Sequence, residues 1–193
     1  MYKIFLLTAG TTTAAASLEL SLGSKSGIVG DNHGRFLAIT PTVLIGTGFW
    51  TLMHGFKVGK ARTKYAELAK KDGEENVDER YLLPNLYAQG TSPHARAFNC
   101  IQRSHQHIFE TFTTAAISGL VGSMVFPITT GISTLMYSIG RYYLSMGYAE
   151  CEDGNPTNRY KYPLARFTWY GLLGNIMLGM GACAVVACGK KKF

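Results

Sequence analysis

Four long apolar windows dominate this sequence and restrict the folds that it can adopt. They cover about residues 36–57, 98–126, 127–148 and 164–188, and most charged residues lie between or outside them. Each window reaches the roughly 20 residues that an α-helix needs to cross a bilayer. The pattern predicts an all-α fold with four transmembrane helices.

The boundary between the second and third windows consists only of Phe126 and Pro127. Proline is well tolerated in the first turn of a helix, where its missing N–H would have no partner within the helix. Many of the 22 glycines fall inside the windows, and small residues let membrane helices approach closely. The second and third helices are therefore predicted to form a tightly packed hairpin.

The predicted domain organisation has three parts. Residues 36–188 form the four-helix domain, interrupted by polar connections at 59–97 and 149–163, and residues 189–193 form a basic tail. Residues 1–35 form an N-terminal extension that begins with an apolar, Thr- and Ala-rich stretch carrying one early Lys. We interpret this extension as an ordered contact arm rather than as a fifth span.

A candidate functional face lies near the start of the second window. Arg103, His107 and Glu110 are spaced i, i+4 and i+7 and therefore share one face of a helix. Such side chains are costly to leave in lipid, so they should point into a bundle or a polar pocket. His105 and His107 point to different sides of that helix, so no metal site is predicted.

The residues alone leave two explanations of this face equally open. It is either a binding site, or a buried ion network of Arg103, Glu110 and Arg141 that orients the bundle. The sequence has no phosphate-binding loop, nucleophile elbow or zinc-ligand spacing. Its net charge of +7 is common at membrane surfaces and indicates contact with membrane lipids, and no nucleic-acid partner is predicted.

Five short stretches, taken in order and spacing, resemble the successive motifs of the MAPEG superfamily, most closely those of microsomal glutathione S-transferase type three. The resemblance spans about residues 36–188. The stretches are residues 60–65 (KARTKY), 83–88 (LPNLYA), 98–106 (FNCIQRSHQ) followed by Glu110, Gly140-Arg141 followed by Gly147-Tyr148, and 155–159 (NPTNR).

The resemblance implies that the four helices form an up-and-down bundle. It also implies a homotrimer that holds glutathione, its co-substrate, between neighbouring subunits. Arg159 occupies the position of the family's thiol-activating arginine. His107 stands where the family usually has Asn, and Leu144 where it usually has Tyr. The residues that the resemblance places around glutathione are Arg62, Arg103, His107, Glu110, Arg141 and Tyr148.

The implied activity is that of a glutathione transferase or peroxidase acting on lipophilic electrophiles or lipid hydroperoxides. Its expected location is the membrane of the endoplasmic reticulum or the mitochondrion. The alternative is a MAPEG-like structural subunit that has lost this chemistry and contacts unlike subunits in a larger membrane complex, such as a mitochondrial respiratory complex.

Overall fold

The computed structural model describes residues 2–26, 34–150 and 156–189, and these residues are all-helical, without a β-strand. Residues 27–33 of the predicted extension, Asn155 and residues 190–193 of the predicted tail lie outside the described residues. The long helices are α1 (Tyr2–Ser26), α2 (Ile39–Lys71), α3 (Pro93–Ser123), α4 (Pro127–Ala149) and α5 (Phe167–Ala187). Short helical turns occupy Asp78–Leu82, Pro156–Tyr160 and Pro163–Arg166.

Helices α2 to α5 coincide with the four windows, but the predicted first connection is wrong at both ends. α2 continues to Lys71, and α3 already begins at Pro93, so the connection shortens to residues 72–92. The extra turns of α2 are rich in Ala, Lys and Glu, which favour helix. Gly73, with φ of +74°, then ends the helix in a conformation that suits glycine.

Two helical stretches among the described residues are long and apolar enough to cross a membrane, Gly34–Lys71 and Pro163–Ala187. α3 and α4 are instead strongly amphipathic, with polar side chains concentrated along one face of each helix. A polar face lowers the mean hydropathy of a helix that packs against other helices. All four predicted windows therefore coincide with helices, but only two of these helices are apolar enough along their length to be recognised as possible membrane spans.

The predicted contact arm is a 25-residue α-helix, α1, and it packs against α5 of its own chain. Its buried Glu19 caps the N-terminal end of α4. Oε1 accepts a hydrogen bond from the backbone N–H of Ile128, and Oε2 accepts one from that of Thr129, both at 2.8 Å. The first N–H groups of a helix have no partner within the helix, and a negative charge there is favoured. Glu19 therefore fixes α1 to the first turn of α4.

Replacing Glu19 by Ala is expected to destabilise the protein by about 1–2 kcal/mol, because two backbone N–H groups lose their acceptors. In a thermal unfolding scan of the detergent-solubilised protein, this corresponds to a drop in midpoint of roughly 2–8 °C. Glu67→Ala, at an exposed position of α2, is the control and should leave the midpoint nearly unchanged. Equal midpoints for the two variants would show that the cap adds no stability.

The chain divides into two compact units. The first contains Met1–Thr47, Thr111–Arg141 and Arg166–Phe193, and the second contains Gly48–Glu110 and Tyr142–Ala165. In the first unit, α4 and α5 pack backbone to backbone. A Cβ built on Gly171 would lie 2.6 Å from Cα of Tyr137, and one on Gly140 would lie 2.7 Å from Cα of Thr168. Only glycine permits contacts this close.

The second unit is organised around the 72–92 connection. Tyr81 and Phe98 are fully buried and pack with Tyr65 and the alanines of α2 and α3. Arg62 lies over the Phe98 ring, 4.6 Å from its centroid. These contacts attach the connection firmly to the ends of α2 and α3, so the side chains that it carries have fixed positions.

Candidate functional site

Asn99 determines where the end of the connection lies. Its Oδ1 accepts a hydrogen bond from the backbone N–H of Ala88 at 2.8 Å, and its Nδ2 donates to the Ala88 carbonyl at 2.9 Å. This two-point contact fixes the backbone beside Tyr87, whose hydroxyl donates to Oε1 of Gln106. Tyr87 also interacts electrostatically with Arg103. A loop tyrosine is thereby held against the polar face of α3.

Arg103 and Glu110 form a two-pronged ion pair along α3. Nη1 of Arg103 donates to Oε1 of Glu110, and Nη2 donates to Oε2 at 3.2 Å. Their seven-residue spacing, two helical turns, brings them together as the sequence predicts. The side chains are 37% and 41% exposed, so the pair reaches the surface of its unit. That it points into a bundle or a polar pocket stays a prediction.

Arg159 and Tyr148 form the second polar pair of this unit. Arg159, in the turn Pro156–Tyr160, donates from Nη1 to the Tyr148 hydroxyl at 3.2 Å. That hydrogen bond raises the pKa of Arg159, while partial burial and the positive charge of Arg103 act in the opposite direction. The buried ring of His107 lies against Tyr148, with 5.8 Å between centroids. Arg159 is therefore a permanent cation near the Arg103–Glu110 pair.

The chain segment that carries Arg159 is held against the end of α4. A Cβ built on Gly147 would lie 2.8 Å from the Arg159 carbonyl oxygen, so glycine allows the segment to approach the helix. Beyond the turn, Lys161 donates to Oε2 of Glu150 at 2.7 Å, and Tyr162 donates to Oε1. These bonds lower the pKa of the exposed Glu150. Arg159 thus projects from a segment that is fixed on both sides.

Two further residues that the resemblance places around glutathione, Arg62 and Arg141, are not part of the Arg103–Glu110 and Arg159–Tyr148 pairs. Arg62 donates from Nη1 to the Tyr81 carbonyl at 2.7 Å and from Nη2 to the Asn85 carbonyl at 2.8 Å, so its hydrogen bonds shape the connection that carries Tyr87. Arg141 is fully buried and belongs to the first unit, where its charge lies near Tyr137. For both, a contact with glutathione stays a prediction.

A hydrogen-bonded brace that the sequence did not reveal ties α2, α3 and α4 together within the second unit. The Ser104 hydroxyl donates to the Ile101 carbonyl at 2.7 Å, so it accepts the 2.8 Å hydrogen bond from Nε2 of His54. The Ser145 hydroxyl donates to the Ser104 carbonyl at 3.1 Å. Because Ser104 follows Arg103 directly, this brace holds α3 rigid where the polar cluster begins.

The helical architecture and the two long apolar helices indicate a membrane protein. The cluster of Arg, Glu and Tyr side chains forms a candidate site for a small anionic or zwitterionic ligand. The sequence model of the MAPEG family matches residues 40–187. The chain therefore belongs to the MAPEG family. The match covers α2 to α5 and begins after α1. No solved structure matches the chain.

Proposed function

We propose that this protein is a membrane-bound glutathione transferase or peroxidase, most like microsomal glutathione S-transferase type three, in which α2 to α5 cross the membrane as an up-and-down bundle. The observation that carries the proposal is the paired arrangement of Arg103 with Glu110 and of Arg159 with Tyr148, within one compact unit and inside the family match. Members of the family generally use glutathione.

The chemistry of the cluster fits glutathione. The tripeptide carries two carboxylates and one ammonium group, and a guanidinium binds a carboxylate in a two-pronged geometry while a carboxylate binds an ammonium. Arg103 and Glu110 present these two opposite charges side by side at a partly exposed position. Together they match the amino-acid end of the γ-glutamyl group. Tyr87 and His107 line the same face with further hydrogen-bonding groups.

Arg159 is the residue proposed to activate the thiol. A thiolate is the nucleophilic form of a thiol, and a fixed cation beside it favours ionisation. Arg159 is held by Tyr148 and stays charged, so it costs no reorganisation when negative charge develops on sulfur. The thiolate sulfur then bonds to the electrophilic carbon of a lipophilic substrate as the leaving group departs. With a hydroperoxide, it bonds to the terminal oxygen as the O–O bond breaks, and the alkoxide that leaves takes up a proton to become the alcohol. A second glutathione thiolate then displaces hydroxide from the sulfenic acid and forms glutathione disulfide.

The partial exposure of the ion pair supports the proposed trimer. Charged side chains at a helix surface within a membrane need a covering of protein or water. A neighbouring copy of the chain, with glutathione between the two subunits, would cover Arg103 and Glu110. Lipophilic substrates would reach such a site directly from the bilayer of the endoplasmic reticulum or the mitochondrion.

Glutathione binding to the detergent-solubilised protein, measured by calorimetry, tests the proposal. Arg103→Ala is expected to weaken binding about 10- to 100-fold, because a charge-assisted hydrogen-bonding partner is lost and Glu110 is left to repel the ligand's carboxylates. Arg96→Ala is the matched control, since Arg96 is an exposed arginine of the same helix, and it should bind like the wild type. An unchanged affinity in Arg103→Ala would assign carboxylate recognition to other residues.

The second candidate is a structural subunit that has lost glutathione chemistry. Two observations favour it: Arg103 and Glu110 already satisfy each other, and Arg62 is engaged by backbone carbonyls. In addition, α2 exposes an apolar stripe of Phe49, Leu52 and Phe56, which are between 59% and 64% exposed. In this case the stripe would contact an unlike membrane subunit.

Native mass measurement after gentle solubilisation from the source membrane separates the two candidates. A free homotrimer that conjugates glutathione would establish the enzyme. A single copy within a large hetero-oligomer, together with no detectable glutathione binding, would establish the structural role. The two measurements are independent, because native mass reports the oligomeric state and calorimetry reports glutathione binding.

A further inference from the structure

We propose that a crevice between α1, α4 and α5 binds an uncharged lipophilic molecule that carries one hydroxyl or carbonyl head group. The crevice has a volume of about 370 Å³ and lies entirely within the first unit. This volume falls in the range of small-molecule sites, about 300–1,000 Å³. One wall comes from α1, which lies outside the family match, and the crevice shares no residue with the glutathione site proposed above.

The greater part of the lining is apolar. Leu7 and Ala15 contribute from α1, Ile132 and Met136 from α4, and Phe167 from α5. An aliphatic or ring-shaped body is stabilised there because apolar surfaces on both sides are removed from contact with polar groups. The lining therefore selects a lipophilic body.

Three hydroxyl groups in the wall are already engaged with the backbone. Thr8 donates to the Ile4 carbonyl at 2.8 Å, Thr11 to the Leu7 carbonyl at 2.9 Å, and Ser133 to the Gly171 carbonyl at 3.0 Å. A hydroxyl that donates a hydrogen bond to the backbone of its own or a neighbouring helix no longer has its O–H group available to a ligand. These three residues therefore add little polarity to the crevice.

Three other residues that carry hydroxyl groups line the crevice from three different helices: Thr12 on α1, Thr129 on α4 and Tyr170 on α5. None of these three hydroxyl groups forms a hydrogen bond with another residue in the described part of the chain. Each can donate and accept a hydrogen bond, and each residue is partly exposed, so a molecule in the crevice can reach it. A ligand hydroxyl or carbonyl would satisfy them.

Among the residues that the structure describes, the lining contains no Asp, Glu, Lys, Arg or His side chain. A carboxylate or phosphate head would enter this crevice without a counter-charge, which is strongly unfavourable. The head group is therefore uncharged. Long-chain alcohols and related neutral lipids combine such a head with an apolar body, and they partition into the bilayer in which a membrane protein of this family resides.

Photolabelling of the full-length protein in lipid nanodiscs tests the proposal with two matched probes. One is a diazirine- and alkyne-bearing analogue of hexadecanol, and the other is the corresponding analogue of hexadecanoic acid, used at pH 8 so that it is ionised. Peptide mapping should place the alcohol's adducts on the crevice walls, with several-fold less labelling by the acid and loss of labelling when excess hexadecanol competes. Equal labelling by both probes, or adducts spread over the exposed leucines of α1, would overturn the proposal.

Variants that keep the shape of the crevice provide a second test. The triple variant Thr12→Val, Thr129→Val, Tyr170→Phe removes the three hydroxyls with little change in volume, and it should reduce labelling by the alcohol probe about fivefold or more. Thr13→Val, at an exposed position of α1, is the matched control and should be labelled like the wild type. Undiminished labelling in the triple variant would refute the role of the hydroxyls. The comparison of the two probes on the wild-type protein decides the question independently of how well the variant folds.

Discussion

Arg159→Ala is expected to remove most of the bound glutathione thiolate while leaving glutathione affinity within about fivefold of the wild type. A fixed cation lowers the pKa of an adjacent acidic group by about 1–3 units. An ordinary thiol is only about 3% ionised at pH 7, and a thiol with a pKa lowered by about 2 units is roughly 75% ionised. The thiolate should therefore decrease roughly 25-fold, as measured by ultraviolet absorbance of the glutathione complex at pH 7.

Arg166→Ala is the control for this experiment. Arg166 also ends a short helical turn and is exposed, but it lies outside the proposed site, so its variant should show wild-type absorbance. Because Arg103 still binds the peptide in Arg159→Ala, the loss of thiolate absorbance should be much larger than the loss of glutathione affinity. Undiminished thiolate in Arg159→Ala would transfer the activating role to another cation, and absence of thiolate in the wild type would support the structural candidate.

Gly171→Ala is expected to destabilise the first unit by about 3 kcal/mol or to prevent accumulation of the folded protein. The added methyl group would overlap the backbone of α4 at Tyr137, and two packed backbones cannot move apart without breaking neighbouring contacts. This steric term outweighs the gain in helix propensity from Gly to Ala, about 1 kcal/mol. In a thermal scan of purified protein the midpoint should fall by roughly 6–12 °C.

Gly59→Ala provides the matched comparison, because it is the same substitution in a helix where a Cβ would meet no atom within 4 Å. Here only the helix propensity changes, so the midpoint should stay the same or rise slightly. A similar fall in both variants would show that the close contact of α4 and α5 does not limit stability.

The existence of α2 to α5 could be predicted from the sequence because long apolar windows and Pro127 are local signals. The bounds of α2 could not be predicted in this way. Apolar composition indicates which part of a helix contacts lipid or neighbouring helices, whereas the helix itself ends where Gly73 adopts a positive φ. The helical state of α1 also depends on remote contacts, since Glu19 meets α4 more than 100 residues later.

The site shows the same distinction between local and remote signals. The Arg103–Glu110 pair follows from helical spacing alone, and the sequence predicted that both lie on one face. The contact of Asn99 with Ala88, which fixes Tyr87 against Gln106, joins a loop to a helix and has no periodic signature. Although the motifs that contain these residues were recognised by resemblance, the hydrogen bonds between different motifs emerged only from the fold.

The cap that Glu19 provides has a consequence for biosynthesis. Its partner Ile128 is 109 residues further along the chain, so at a translation rate of about 5–20 residues per second α1 waits roughly 5–20 s before its docking site exists. During that interval the leucines of α1 and the unpaired carboxylate of Glu19 are both uncovered. The leucines of the nascent N-terminal helix therefore need a temporary binding partner, either the bilayer surface or an insertion factor, until the α3–α4 hairpin has left the ribosome.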